Sequence, residues 1–484
     1  MATMKKRTLG YALPMLYWML ALSLAGVAQA PAATGASVSG PAGRDMTVDW
    51  AAMSVLDLDD AVAIAMAGNP GLDAAAARVR QAKAQVDQAR STYWPRLDAN
   101  ASGARVELSG NSYRQNLASA RLLNPSATIA DPEEYYNADL TASWTLFDGF
   151  ERKFSNAAAR YGEQSSTAAL NDARRLLISA VALSFFSAQL ALENIAIARA
   201  DEAFNQRQLD DAEARQRVGT GSFSDVLNFQ VRKNQAKTTR INQEYQYEIA
   251  LYGLAALMGL PESRLPAHVQ LAHLSPETAD ELAAPTVDPL ILGAMKHRPD
   301  IQQVQWQIKQ VEAQVKIARS DFYPTVFVTG SLDGERTGNP DLGRDDFGNR
   351  VQVGLSYNLF SGGFTRARVR EVRQQRIELD KRLEELILSA TSDIRSSAAL
   401  VTTAQVQVAL QRENVDLVQL TRDLVEKEYN AGQGSLVRLN EAQRDLTTAQ
   451  SNLALALVGL RQAWVELETR SGTLLATYGI SETP

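Results

Sequence analysis

Apolar side chains recur every seven residues in three parts of the chain. Residues 72–93 and 301–322 carry one apolar series at this spacing and a second series of Ala or Val three residues later. Near the C terminus the first series is all leucine: Leu439, Leu446, Leu453, Leu460 and Leu467. A period of seven predicts helices that pack as coiled coils. A plain soluble bundle of helices accounts for the same period.

Two other stretches, residues 136–146 and 351–359, alternate between apolar and polar side chains. This alternation predicts strands with one apolar and one polar face. Weaker candidates for partner strands precede them at residues 96–108 and 325–332. Each half of the chain is therefore expected to form a β-hairpin.

The predicted hairpins span residues 96–147 and 325–360. Their connecting segments, 109–134 and 333–349, are rich in Gly, Asn, Asp, Ser and Pro. This composition favours long loops of the kind found on the outer side of a barrel. Two small hairpins packed on a soluble core would show the same alternation.

The chain contains one unit twice. Residues 69–95 match residues 298–324 at an offset of 229, and later matches have an offset of 213. The later matches are Leu-Phe-Asp-Gly at 146–149 with Leu-Phe-Ser-Gly at 359–362, and Gly-Thr-Gly-Ser at 219–222 with Gly-Gln-Gly-Ser at 432–435. The difference of 16 residues is extra length between the first helix and the second strand of the first copy. Exposed loops tolerate such length changes.

Each copy continues into a long stretch without proline and almost without glycine, at residues 151–217 and 364–430. Because Ala, Leu, Gln, Arg and Glu dominate both stretches, we predict one helix over each. At 1.5 Å per residue, each helix would be about 100 Å long, so the molecule should be elongated.

The N terminus has the three regions of a secretory signal peptide, which we place at residues 1–30. Basic residues at 5–7 precede an apolar run to about residue 27, and Ala-Gln-Ala follows. The chain is therefore expected to leave the cytoplasm. A retained membrane anchor is disfavoured because Pro14 interrupts the run and no other segment is comparably apolar.

Composition argues against several classes of protein. The formal charge of −6 becomes −9 when the three basic residues of the signal are removed, which disfavours a nucleic-acid partner. Without cysteine there can be no disulfide, no thiolate metal site and no lipid on an N-terminal cysteine. The three histidines, His268, His273 and His297, lack metal-ligand spacing, and the sequence has neither a nucleophile elbow nor a phosphate-binding loop. We therefore expect no enzyme activity, no cofactor and no metal.

The export signal and the long flanking helices favour hairpins in a membrane over hairpins on a soluble core. In lipid, unpaired backbone groups cost several kcal/mol each, so every sheet edge must be closed. Four strands cannot close into a barrel, because single-chain barrels have at least about eight. The chain is therefore expected to oligomerise, and three copies would supply twelve strands.

These interpretations divide the chain into five parts. They are a signal peptide (1–30), a first repeat (31–260), a connector (261–289), a second repeat (290–470) and a C-terminal tail (471–484). The connector is rich in proline.

The order and duplication of these features resemble the TolC-like outer-membrane factors. The resemblance rests on the export signal, the duplicated strand–strand–long-helix unit, the Leu-Phe-x-Gly junctions and the turn sequence Arg-Val-Gly-Thr-Gly-Ser-Phe-Ser-Asp-Val-Leu at 217–227. It covers nearly the whole mature chain. It implies an α+β fold in which a trimeric, 12-stranded transmembrane β-barrel continues into a periplasmic α-helical coiled-coil barrel.

The resemblance also implies a function and a location. The protein would be an outer-membrane channel-tunnel of a tripartite efflux or type I secretion system, set in outer-membrane lipid and extending into the periplasm. It would passively conduct substrates to the exterior from an inner-membrane transporter and a periplasmic adaptor (membrane fusion) protein. The junction motifs and the missing cysteine are closer to the TolC and type I secretion branch than to the lipidated drug-efflux branch. A trimeric coiled-coil structural or adhesin protein is the alternative, but it leaves the paired two-faced strands unexplained.

Turns between the long helices and their return helices are predicted at residues 219–225 and 432–438. Glycines there permit the left-handed backbone of a tight turn, and Ser222 and Ser435 are suited to cap the helices that follow. The resemblance implies that these turns form a closed periplasmic tip. It also implies adaptor docking at Gly219, Gly221, Ser222, Gly432, Gly434 and Ser435.

Asp225 and Tyr429 occupy positions that, in TolC-like proteins, help to hold the tip shut by hydrogen bonds between coils. The family's arginine near this latch is replaced by Gly434, and an expected aspartate is replaced by Arg438, with Glu441 at the next acidic position. We assign a periplasmic gate to Asp225, Tyr429, Arg438 and Glu441. Because threefold symmetry repeats each charge as a ring, this gate need not attract cations as strongly as is usual in the family. The alternative is that Arg438 and Glu441 are solvated charges on a helix face.

Overall fold

The computed structural model describes residue 50 and residues 53–480. The predicted signal peptide at residues 1–30 and the end of the predicted tail lie outside the described residues. The helices are α1 (Leu58–Gly68), α2 (Pro70–Ser91), α3 (Gly110–Leu123), α4 (Glu151–Arg217), α5 (Phe223–Leu257), α6 (Val287–His297), α7 (Pro299–Ser320), α8 (Phe364–Asn430), α9 (Leu436–Ser471) and α10 (Leu474–Thr477). The strands are β1 (Val55–Leu56), β2 (Arg96–Val106), β3 (Glu133–Asp148), β4 (Gln270–Leu271), β5 (Thr325–Thr337) and β6 (Phe347–Ser356).

The two long helices, α4 and α8, are each 67 residues long and coincide with the proline-free stretches. Both begin after a residue in the left-handed conformation, Phe150 in one copy and Gly363 in the other. Part of α4 is apolar enough to cross a membrane by length and composition, but 56% of that part is buried within the chain. This burial fits a core helix, since α4 packs on α2, α5, α7 and α9.

Four strands form one antiparallel sheet in the order β2-β3-β5-β6. Each copy contributes one hairpin, and the pairing of β3 with β5 joins them. A bulge between Thr145 and Phe147 shifts the register of β3 against β5. The prediction of a duplicated α+β unit is therefore confirmed.

The prediction of a long loop over residues 109–134 is wrong for most of this segment, which contains the helix α3. Ser109 caps that helix by accepting a hydrogen bond from the Ser112 amide (3.2 Å). The helix lies in the region that gives the first copy its 16 extra residues. No residue of α3 is buried; Tyr113, Leu117 and Ala120 follow the helical spacing but are only partly buried, in a segment rich in turn-forming residues.

The second predicted loop, 333–349, is also too long. Antiparallel pairing continues to Gly334 and Phe347, and Thr337 at the end of β5 pairs with Tyr135. The predicted strand at 351–359 ends earlier than expected, at Ser356. Neighbouring strands, rather than local composition, set these limits.

The seven-residue periodicity marks buried seams between helices. In α9, four of the five leucines are buried, and Leu453 is partly buried. The last three, Leu453, Leu460 and Leu467, pack with a matching series in α8, Ile394, Val401 and Val408, which is completely buried. Full burial of such a side chain contributes about 1.5–3 kcal/mol, so this seam fixes the second helical hairpin.

The connector is tied to the helices rather than running free. Its strand β4 pairs in parallel with β1, so that Gln270 lies opposite Val55. On α9, Arg461 forms an ion pair with Glu281 (3.0 Å) and Trp464 donates to the Glu281 carbonyl (2.9 Å). The connector is therefore anchored to the C-terminal third of α9.

Candidate functional site at the helix tips

The two tip turns occupy residues 218–222 and 431–435. The predicted turns were longer and began one residue later: 219–225 and 432–438. The difference arises because α5 and α9 begin directly after their capping residues. Asp225 and Arg438 consequently lie in the first turns of helices and not in loops.

Serine hydroxyls begin both return helices. Ser222 accepts a hydrogen bond from the Ser224 amide (3.1 Å), and Ser435 accepts one from the Arg438 amide (3.3 Å). Each hydroxyl satisfies an amide that has no partner within the helix. The two serines therefore have a structural role whatever else binds the tips.

Glycine is required at two positions in each turn. Gly219 and Gly432 have φ values of 77° and 76°, which side-chain-bearing residues rarely adopt. A β-carbon at Gly221 or Gly434 would lie 2.8 or 2.9 Å from atoms at the end of the preceding helix. Nothing lies within 4 Å of the position a β-carbon would take at Gly219 or Gly432, so the backbone there is open to an approaching surface.

Tyr429 lies in an apolar cluster to which four helices contribute. Its ring packs edge-on against the ring of Phe229, with centroids 6.2 Å apart, and Phe229 is completely buried. The cluster comprises Phe204, Leu209, Ala212, Phe229, Val425, Tyr429, Leu439 and Ala442. Residues of α4, α5, α8 and α9 thus meet at this point. Tyr429 is 9% exposed.

The structure brings Asp225 and Tyr429 together within one chain. Burial, and then the nearby Asp225 carboxylate, raises the pKa of the Tyr429 hydroxyl, whereas Arg215 lowers it. The Arg215 guanidinium lies 5.3 Å from the centre of the Tyr429 ring and donates to the Asn430 side chain (2.8 Å). Asp225, Tyr429 and Arg215 therefore form one polar group beside the apolar cluster.

Arg438 and Glu441 do not join this group. Arg438 forms an exposed ion pair with Glu428 (3.0 Å). Glu441 is exposed and has no hydrogen-bond or ion-pair partner among residues 53–480. Much of the positive charge of Arg438 is thus balanced locally, as expected for a solvated pair on a helix surface.

Sequence reasoning missed a polar stripe on α4 that faces the second helical hairpin. Its members, Asp201, Gln208 and Arg215, are spaced by seven residues. They bond to side chains of α8 and α9: Asp201 to Gln443 (2.8 Å), Gln208 to Glu426 (2.9 Å) and Arg215 to Asn430 (2.8 Å). The spacing of seven is the signal that could have revealed the stripe, because it is the spacing of a coiled-coil contact.

Asp201 is the only carboxylate of this stripe, and it is partly buried. Burial raises the pKa of Asp201, and hydrogen bonds from Gln443, Asn205 and Thr447 act in the opposite direction. The contact between Asp201 and Gln443 therefore joins the two hairpins at a group that titrates above its usual range.

Two β-hairpins form one sheet, and each leads into a helix of about 100 Å. This is the architecture expected of a subunit of a channel-tunnel. The fold is shared with the outer-membrane channel CmeC of Campylobacter jejuni: the TM-score is 0.71 at 17% identity, over 91% of this chain and 90% of that chain. A protein family described as outer membrane efflux protein matches residues 62–260 and 290–473. The chain belongs to this family. The residues between the matched segments are those assigned above to the connector.

Relatives within the family align along most of this chain. The pyoverdine export outer membrane protein OpmQ of Pseudomonas aeruginosa is 26% identical over 420 residues, which is 86% of this chain and 84% of that protein. Protein CyaE of Bordetella pertussis is 25% identical over 497 residues, or 99% and 97% of the two chains.

Membership in this family establishes the class of function. The protein is an efflux channel of the outer membrane that extends into the periplasm. The family consists of channels rather than enzymes. The alternative of a coiled-coil adhesin is thereby set aside.

Proposed function

We propose that three copies of the chain close into one channel-tunnel, with twelve strands in the outer membrane and the long helices in the periplasm. The supporting observation is the pair of open sheet edges. The edge strands β2 and β6 are 11 and 10 residues long, and within the described chain each pairs with a neighbour on one side only. Edges of this length cannot remain open in lipid.

Closure by like subunits satisfies both edges at once. The strand β6 of one copy would pair with β2 of the next, and the same contact would repeat around a threefold axis. The resulting number of strands lies within the range of known membrane barrels. Substrates would then pass through a continuous duct without chemical change.

The tip turns are proposed to dock a periplasmic adaptor protein, which connects the channel to an inner-membrane transporter. The support is the open backbone at Gly219 and Gly432, which a partner helix can approach closely. The serine caps Ser222 and Ser435 and the crowded Gly221 and Gly434 would hold the turns in one shape. The absence of cysteine favours the unlipidated TolC and type I secretion branch.

The gate is proposed to lie where the two helical hairpins meet at the tip. Asp225 and Tyr429, together with Arg215, would hold the hairpins side by side in the closed state. Arg438 and Glu441 would contribute rings of charge near the opening, weakened at Arg438 by Glu428. Opening would require the hairpins to separate while the turns stay intact.

Because the natural chain lacks cysteine, engineered cysteines can test the closure directly. Ala101→Cys on β2 is combined with a single cysteine scanned over residues 349–355 of β6. At the correct register, oxidised membranes should yield covalent trimers on a denaturing gel. The matched controls are the single-cysteine variants, which can form at most dimers. If no position in the scan links three copies, or if detergent-extracted protein is monomeric by mass, the proposal fails.

A further inference from the structure

Two cavities lie where the strands meet the helices, one in each copy of the repeat. The first has a volume of about 440 Å³ and is lined by Arg90, Tyr93, Trp94, Trp144, Asn156 and Arg160. The second has a volume of about 700 Å³, and its lining includes Arg319, Phe322, Tyr323, Arg366, Arg370 and Arg373. Both combine arginines with aromatic rings.

The two cavities are equivalent by the internal repeat. Arg90 and Arg319 are related by the offset of 229 residues, as are the aromatic pairs that follow them three and four residues later. Arg160 and Arg373 are related by the offset of 213. Both halves of the chain therefore place two arginines and two aromatic rings at the same point of the fold.

The arginines of these cavities are not used within the described part of the chain. None of their guanidinium groups has a hydrogen bond or an ion pair there. Neighbouring arginines on α8 are paired, Arg368 with Asp321 (3.2 Å) and Arg376 with Glu312 (3.1 Å). Four arginines and no acidic residue line the second cavity, so it has a large excess of positive charge.

The start of α8 adds to the affinity of the second cavity for an anion. Gly363, which lines the cavity, caps the helix without a side-chain hydrogen bond, and the first turn contains no acidic residue. Free amides and the helix dipole at such an end favour negative charge.

The position of the cavities indicates which class of anion they would bind. Tyr323 directly precedes the segment that enters β5, and Trp94 stands in the same place before β2. These rings are 53% and 77% exposed. At the end of a membrane strand, aromatic rings mark the boundary between hydrocarbon and headgroups, and arginines there attract anionic lipid.

We propose that both cavities bind the phosphate of an anionic phospholipid from the periplasmic leaflet of the outer membrane. The arginines would hold the phosphate, and the aromatic rings would lie at the level of the glycerol and upper acyl chains. A trimer would carry six such sites around the base of the barrel. This inference rests on the proposed closure of the strands in the membrane.

Native mass spectrometry of the purified full-length trimer in detergent can test the proposal. Phosphatidylglycerol should remain bound at up to six copies per trimer, and phosphatidylcholine should not. The double variants Arg90→Gln/Arg160→Gln and Arg319→Gln/Arg373→Gln should each bind phosphatidylglycerol roughly twenty-five-fold more weakly at the affected cavity, because each arginine near an anionic lipid contributes about a fivefold factor. Inorganic phosphate at the same concentration should not displace the lipid.

The matched control is Arg207→Gln/Arg382→Gln, which removes the same charge from exposed arginines outside the cavities. Equal retention of the two lipids, or full retention by the cavity variants, would overturn the proposal. Displacement by inorganic phosphate would assign the cavities to free phosphate instead.

Cavity variants that no longer form trimers would show that the cavities are subunit contacts. If wild-type protein forms conducting trimers without lipid preference, only this inference fails; if it forms no trimers, the proposed assembly fails too.

Discussion

At the scale of single residues, the tip depends on a few side chains with distinct tasks. Glycines and serines shape the turns, whereas Tyr429, Asp225 and Arg215 connect the hairpins. The two tasks are separable, because the turn bonds lie within each hairpin and the polar group lies between them. Changes at the polar group should therefore alter gating without unfolding the tip.

Loosening the polar group should open the duct. Tyr429→Phe together with Asp225→Ala removes the hydrogen-bonding atoms and leaves the apolar ring and the turn glycines in place. A hydrogen bond contributes about 1 kcal/mol net, and threefold repetition could shift the closed–open equilibrium more than a hundredfold. Single-channel recordings in planar bilayers should show a markedly larger conductance than wild type at equal trimer content.

The control is Tyr245→Phe with Asp211→Ala, which makes the same chemical changes at exposed positions of the first helical hairpin. Its conductance should equal that of wild type. Should the Tyr429 and Asp225 double variant also conduct like wild type, the latch lies elsewhere. In that case Arg438→Asp should change the ion selectivity.

At the scale of elements, the heptad seams join helices into hairpins, and the polar stripe of α4 joins the hairpins to each other. Apolar seams are insensitive to pH, but the stripe contains the partly buried Asp201. Because burial raises the pKa of Asp201, the folded chain binds more protons at this site than the unfolded chain. Its contribution to stability therefore falls as pH rises from about 4 through the raised pKa.

The pH dependence can be measured on one substitution. Asp201→Asn keeps an acceptor for Gln443 but removes the titrating charge. Between pH 4.5 and pH 7, the melting temperature of wild-type trimers should fall more than the melting temperature of the variant. Asp211→Asn, at an exposed position of the same helix, is the control and should follow wild type. Parallel curves for wild type and Asp201→Asn would exclude Asp201 as the source.

At the scale of the whole molecule, the sheet and the helices have different requirements. Each helical hairpin buries its own seam within one chain, whereas the sheet leaves the β2 and β6 edges open. The helices can therefore form in a single copy, but the strands need neighbours before they enter lipid. Assembly and membrane insertion should accordingly be coupled.

The coupling predicts the effect of a charge on the proposed lipid face. Leu140→Arg on β3 or Val353→Arg on β6 should impair insertion by about 2–4 kcal/mol near the middle of the bilayer. The yield of heat-resistant trimers in outer-membrane fractions is the measurement. Thr141→Arg and Gln352→Arg place the same charge on the opposite face and should be tolerated better. If all four variants assemble alike, the facing assigned to these strands is wrong.

The sequence by itself determined the features that depend on neighbouring residues. The absence of proline over 151–217 and 364–430 allows each stretch to form one uninterrupted helix, and the glycines that flank each stretch mark where the helix begins and ends. Glycine at 219 and 432 likewise marks the turns, since the left-handed backbone requires it. Alternation revealed the strands, because a sheet with one apolar face imposes a period of two.

Only the tertiary structure decided which side chains meet. Arg215 reaches Asn430 across 215 positions of sequence, and Asp201 reaches Gln443 across 242. Such contacts depend on the rotation and register of two helical hairpins, which the hydrophobic seams set together. The helix α3 and the extended ends of β5 and β6 escaped prediction for a related reason. The helix α3 buries no side chain in a core, and the limits of a strand are fixed by the partner strand with which it exchanges hydrogen bonds.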